Sequence, residues 1–168
     1  MKNSRLLAIG LIALLLIIVG VGVRLSIRAM SPLPSGLGTT YGWLARCPEG
    51  SNCVSSQAPD DAHKIAPILF TGADRRVAYN TLLRVMEDLP RATVVVSRVD
   101  YVHVEFRSAI WAFVDDAEFL LDETSGRIEV RGAARLCKDD GGRNRARLEE
   151  IRKLFTDKLT IVMKGTPQ

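Results

Sequence analysis

From Leu6 to Val23 the chain is apolar without interruption, eighteen residues with Gly10, Gly20 and Gly22 among them. A helix rising about 1.5 Å per residue covers roughly 27 Å with such a run, close to the ~30 Å hydrocarbon core of a bilayer. Lys2 and Arg5 precede it, and Arg24 and Arg28 follow. Two readings compete, a cleaved signal peptide and an uncleaved anchor. Signal cores usually run to ~7–15 residues and end in small residues. This run is longer, and Arg24 stands where small residues would be wanted. No cysteine follows for lipoprotein processing. The expectation is a signal anchor: one transmembrane helix with its N-terminus inside.

The anchor also accounts for the charge. The chain has 168 residues, 23 Lys and Arg, 19 Asp and Glu, and a net charge of +4. Four of the basic residues and no acid lie in the first 28 positions, so the rest is formally neutral. A neutral domain offers no single-signed field to steer a polyanion, which argues against nucleic acid as a partner. The expected division is an anchor over 1–28, a linker over 29–45, an extracytoplasmic domain over 46–164, and a frayed tail over 165–168. The linker reading rests on Pro, Gly and Ser between Met30 and Thr40. Tyr41-Gly-Trp-Leu44 after it is expected to pack into the core, the alternatives being a lid on the domain or a membrane-interface contact.

Periodicity supplies the domain's elements. Ile68-Leu-Phe is a short strand. Ala78, Leu82, Val85, Met86 and Leu89 form one helical stripe, with Pro90 as the stop. Thr93–Val99 is a β-branched strand. Tyr101–Arg107 alternates, with Val102, Val104 and Phe106 on one face and Tyr101, His103, Glu105 and Arg107 on the other, as in a half-buried strand. Trp111–Asp122 reads as a strand bent near Asp115-Asp116. Glu123-Thr-Ser-Gly126 is turn chemistry, and Arg127–Arg131 returns. A final helix from about Asn144 to Leu159 shows the stripe Leu148, Ile151, Leu154, Phe155 and Leu159. The fold class is therefore α+β, in β-α-β-β-β-β-α order, one mostly antiparallel sheet with two helices on a single face.

Cys47 and Cys53 enclose five residues including Pro48 and Gly50, a short loop suited to a structural disulfide in an oxidising compartment. The spacing is neither the redox Cys-x-x-Cys nor that of a zinc pair. Cys137 is left as an odd thiol.

The sharpest chemical feature is an acidic cluster, Glu105, Asp115, Asp116 and Glu118, followed by a basic stretch. Alternation places Glu105, Arg107, Glu118, Glu129 and Arg131 on one face, where cross-strand ion pairs form. Arg107, Arg131 and Arg145 are expected to neutralise Glu105, Asp115, Asp116 and Glu118, so that Arg107→Ala lowers stability strongly. The competing reading is a site for a small anion made by Arg107, Arg131, Arg135, Asn144 and Arg145. Asp115, Asp116 and Asp140 match no calcium-loop spacing, so no metal and no cofactor is expected. His63 and His103 stand alone. Nucleophile elbows, P-loops and dinucleotide fingerprints are lacking.

Three stretches together resemble a bacterial and plastid family, number 1499 among the domains of unknown function. They are Cys47-Pro-Glu-Gly-Ser-Asn-Cys-Val-Ser-Ser56, then Tyr101-Val-His-Val-Glu-Phe-Arg-Ser with Phe113-Val-Asp-Asp-Ala-Glu-Phe119, then the basic Arg131–Arg147. Family members read Arg-Ser-Ala-Ser-Arg where this chain has Arg131-Gly-Ala-Ala-Arg135. The resemblance implies a signal or anchor and an extracytoplasmic or lumenal setting, and it supplies no reaction. The functional expectation is a non-catalytic binding or envelope-support module, on the periplasmic side of the inner membrane, with a small anionic ligand or an envelope protein as partner. The alternative is a hydrolase-like enzyme using Asp115, Asp116 and Glu118.

Overall fold

The computed structural model describes residues 2–49, 51–136 and 141–165; Cys137 and Asp140 lie outside them. Helix α1 (Lys2–Ala29) carries the apolar run and is long and apolar enough, by length and composition, to cross a membrane. From Asn3 its side chains stand exposed until Ile27, which is buried. After it come β1 (Thr39–Thr40), β2 (Trp43–Leu44), β3 (Val54–Ser55), β4 (Ile68–Leu69), α2 (Arg75–Asp88), β5 (Ala92–Arg98), β6 (Tyr101–Arg107), β7 (Val114–Asp122), β8 (Arg127–Ala134) and α3 (Arg143–Gly165).

The main sheet runs β3-β8-β7-β6-β5, with β4 also paired to β8, and every strand pairing in it is antiparallel. From β4 onward the element order is the one the periodicity predicts. Asp74 caps α2 by accepting a hydrogen bond from the Val77 amide, satisfying one of the orphan donors of its first turn. The stripe Ala78, Leu82, Val85 and Met86 then packs with Leu148, Ile151 and Phe155 of α3 onto Val102, Val104, Phe119, Ile128 and Val130 of the sheet. Both helices thus cover one face. Gly132 permits the close approach of α3, since a Cβ there would lie 3.2 Å from Leu148 Cδ1.

Three local expectations change. The strand after β6 begins at Val114 rather than Trp111, and its register against β8 runs straight through Asp115 and Asp116 with no bend. Ala112 adopts a φ of 60°, which ends any extended run before it. In Tyr41–Leu44 only Leu44 is buried. Tyr41 and Gly42, both at positive φ, form the tight β1–β2 turn that throws the Tyr41 ring outward, 96 % exposed. The third change matters most: β6 is buried on both faces, with Tyr101, His103 and Glu105 buried like Val102, Val104 and Phe106, and only Arg107 at its end part-exposed.

Cys47 and Cys53 form a disulfide with a Cα–Cα distance of 5.4 Å. The bridge ties the irregular stretch ahead of β3 to the sheet edge. In the chain-entropy picture so short a loop contributes about 2 kcal/mol.

Candidate functional site

Period-two alternation puts Tyr101, His103 and Glu105 of β6 on the face away from the helices, with Asp116 and Glu118 of β7 and Glu129 and Arg131 of β8 beside them. The register sets Glu105 directly opposite Asp116. Two carboxylates so placed repel unless a cation lies between them. That cation is Arg135, just past the end of β8. Its Nη2 donates to Glu105 Oε1 at 2.5 Å and to Asp116 Oδ1 at 2.7 Å, and its Nε donates to Asp116 Oδ2 at 2.8 Å. His103 Nε2 lies 2.8 Å from Asp116 Oδ1, so the carboxylate makes this nitrogen the protonated one. Arg107 donates to the remaining Glu105 oxygen at 2.5 Å.

One row further along, Glu118 stands between His103 and Arg131 in register. It is fully buried and fully used. Oε2 accepts from Arg131 Nη1 at 2.7 Å, and Oε1 accepts from the Tyr101 hydroxyl at 2.7 Å and the Gly38 amide at 2.8 Å.

What makes this polar face dry is the stretch after α1. Gly38 reaches Glu118, Arg135 Nη1 donates to the Ser31 carbonyl at 3.1 Å, and Leu44 packs with Tyr101 and Leu120. The Leu44 amide donates to Gln57 Oε1 at 2.8 Å. Residues 31–44 therefore lie over the charges as a roof.

Burial drives the Tyr101 hydroxyl far above its ordinary range, reinforced by the Glu118 carboxylate that it must face. Burial also raises Asp116, but hydrogen bonds from Arg135 and His103 outweigh it and hold the carboxyl net below the usual range. Asp116 in turn holds the Arg135 guanidinium more firmly protonated. A carboxyl depressed by folding stabilises the protein fully above its unfolded value of about 4, and that contribution is lost as pH falls through the lower folded value. Urea midpoints measured from pH 5 to pH 2 should fall for the wild type and fall less steeply for Asp116→Asn. Equal slopes would show that Asp116 is not a source of the acid sensitivity.

The five residues expected as an anion site do not converge. Arg107, Arg131 and Arg135 lie in the roofed network. Asn144 is buried at the start of α3, where its Oδ1 accepts from Arg147 Nη1 at 3.0 Å. Arg145 donates to the carbonyls of Lys64 and Ala62 at 2.6 and 3.0 Å. The acidic cluster divides too. Asp115, adjacent in a strand to Asp116, points to the helix side and meets Arg147 Nη2 at 2.8 Å, while Arg147 also lies 4.6 Å from the Phe106 ring centre. His63 bonds locally to Asp60. Among the described residues no group of three His, Cys, Asp or Glu is arranged to hold a metal ion.

The family model described as "Protein of unknown function (DUF1499)" matches residues 43–155. The chain belongs to the DUF1499 family. No curated protein and no solved structure matches it. The DUF1499 match contains the whole charged row from Tyr101 to Arg135 and stops short of Ser31 and Gly38. Two backbone groups that close the network thus come from outside the matched region, from the segment that leaves α1.

The network partners that sequence reasoning missed were Arg135 as the bridge, Tyr101 and His103 as donors, and the roof. Arg135 was within reach: Glu129, Arg131, Ala133 and Arg135 keep the same alternation beyond the expected strand end. Beside the network, an open groove of about 1050 Å³ is lined by Trp43, Arg46, Ser55, Gln57, Lys64 and Arg127 among others. It is a concave surface, and none of the three carboxylates Asp115, Asp116 and Glu118 lines it.

Proposed function

We propose that this chain is a non-catalytic envelope module, anchored in the inner membrane by α1, which displays its DUF1499 domain in the periplasm. The observation that carries the reading is the closure of the charged face. General acid–base or nucleophilic work needs a carboxylate edge within reach of a substrate. Here Glu105, Asp116 and Glu118 spend their oxygens on arginines, His103, Tyr101 and a backbone amide beneath the roof. A network of this kind fixes strand register and locks the membrane-proximal segment onto the sheet. A small anionic ligand or an envelope protein would meet the groove beside it, which Trp43, Arg46 and Lys64 help to line. The Cys47–Cys53 bridge supports an oxidising compartment.

The test combines topology and chemistry. A reporter active only in the periplasm, fused after Gln168, should be active, and the mature chain should keep its N-terminal residues. Mass mapping without reductant should find Cys47 joined to Cys53 and Cys137 as a separate thiol. The purified chain should not hydrolyse ester, phosphoester, glycoside or peptide probes. Turnover that disappears in Asp116→Asn or Glu118→Gln while the fold persists would establish the hydrolase reading instead.

A further inference from the structure

We infer that the β6–β7 loop, residues 108–113, is a second membrane contact that seats Ile110 and Trp111 in the lipid headgroup layer beside the exit of α1. This rests on the reading of α1 as a membrane span. Arg24 is the first charged residue after the apolar run, so its guanidinium marks the boundary of the hydrocarbon. Its Nη1 donates to the Ile110 carbonyl at 3.3 Å and to the Ala109 carbonyl at 3.5 Å. The loop is therefore tied, through its backbone, to the depth at which the chain leaves the bilayer. A second tie, from Arg135 to the Ser31 carbonyl, points the same end of the sheet toward the membrane.

The loop is built to present its tip. The Ser108 amide donates to the Phe113 carbonyl at 2.9 Å, and the Phe113 amide donates back to Ser108 Oγ at 3.0 Å. Ala112 is buried at positive φ and pins the turn from inside. Yet Ile110 is 70 % exposed and Trp111 45 % exposed. An aliphatic and an indole ring held out from a closed loop gain by entering an apolar layer, and Trp is the residue enriched where hydrocarbon meets headgroups. Leu25, Met30 and Leu33 are also exposed, at the end of α1 and just beyond it. Arg28 on α1 and Arg91 ahead of β5 add positive charge; the Arg107 amide bonds to the Arg91 carbonyl, while the Arg107 guanidinium is spent on Glu105. The occupant that fits an apolar tip held by Arg24 at this depth, on a chain with Arg28 and Arg91 also basic, is a bilayer surface with anionic headgroups.

The experiment uses the full chain with Trp43→Phe, leaving Trp111 as the lone indole, in vesicles of phosphatidylethanolamine and phosphatidylglycerol. Lipids brominated near the headgroup should quench Trp111 several-fold more than aqueous iodide does, and Ile110→Ser should weaken that quenching. If alkaline carbonate leaves the chain in the vesicles while iodide quenches Trp111 freely and bromolipid does not, the anchor stands and the second contact is overturned. Shielding from iodide that appears only at high protein-to-lipid ratio would assign the loop to a second copy of the chain, which also overturns it. Release by carbonate would overturn the anchor reading itself and the inference with it.

Discussion

Arg135→Ala is expected to cost about 3–5 kcal/mol, because it leaves Glu105 and Asp116 facing each other without their shared cation. In a domain of this size that is a fall in Tm of roughly 10–20 °C. The magnitude follows from burial. The Arg135 side chain is 5 % exposed and supplies three hydrogen bonds to the two carboxylates, as well as one to the Ser31 carbonyl. Arg107 touches Glu105 with one nitrogen and its side chain is 39 % exposed. Water and mobile ions screen such a pair, so Arg107→Ala should cost about 1 kcal/mol or less. Alternation alone predicts a strong loss for Arg107→Ala; burial gives that effect to Arg135 instead. Thermal unfolding of the detergent-solubilised chain measures both variants. Combining Arg135→Ala with Asp116→Asn should recover part of the loss, since removing one of two opposed carboxylates relieves what the missing cation leaves behind. Equal losses for the two arginines, or a loss near zero for Arg135, would contradict the bridging role.

Glu118→Ala is the second large effect. It strands the buried Arg131 guanidinium and removes the acceptor for both the Tyr101 hydroxyl and the Gly38 amide. Leaving one partner of a buried pair uncompensated sets a loss of about 3 kcal/mol or more. The change also has a local signature. Gly38 belongs to the roof, and Glu118 is the sheet residue that holds its amide. Amide exchange should speed up at Gly38 and through Leu44, while the helical amides of α3 keep their protection relative to global stability. Uniform acceleration across the domain would mean that residues 31–44 are not separately locked by Glu118.

Much of this protein is legible from local pattern. An unbroken apolar run with charged flanks yields α1, because a helix is the form that satisfies its own backbone in an apolar medium. The stripes of α2 and α3 and the alternation of β6 and β8 follow from the geometric periods of helix and strand, which a sequence displays directly. The Cys47–Cys53 bridge is equally local, a separation of six positions. Even the split of the acidic pair was readable, for neighbours in a strand cannot share a face, and this separates Asp115 from Asp116.

What tertiary structure alone decided is who meets whom across that face. Alternation assigns a side chain to a face and says nothing of its partner; the partner depends on register between strands and on what packs above them. Arg135 reaches Ser31 across 104 positions and Asp116 across 19. Gly38 reaches Glu118 across 80. No local pattern encodes such meetings. They form because a sheet face crowded with carboxylates and guanidiniums is costly to bury unless each charge finds its counterpart and each remaining lone pair a donor. A stretch rich in Pro, Gly and Ser, which composition marks as a linker, supplies two of those backbone groups, and so becomes the cover that turns a charged surface into an interior.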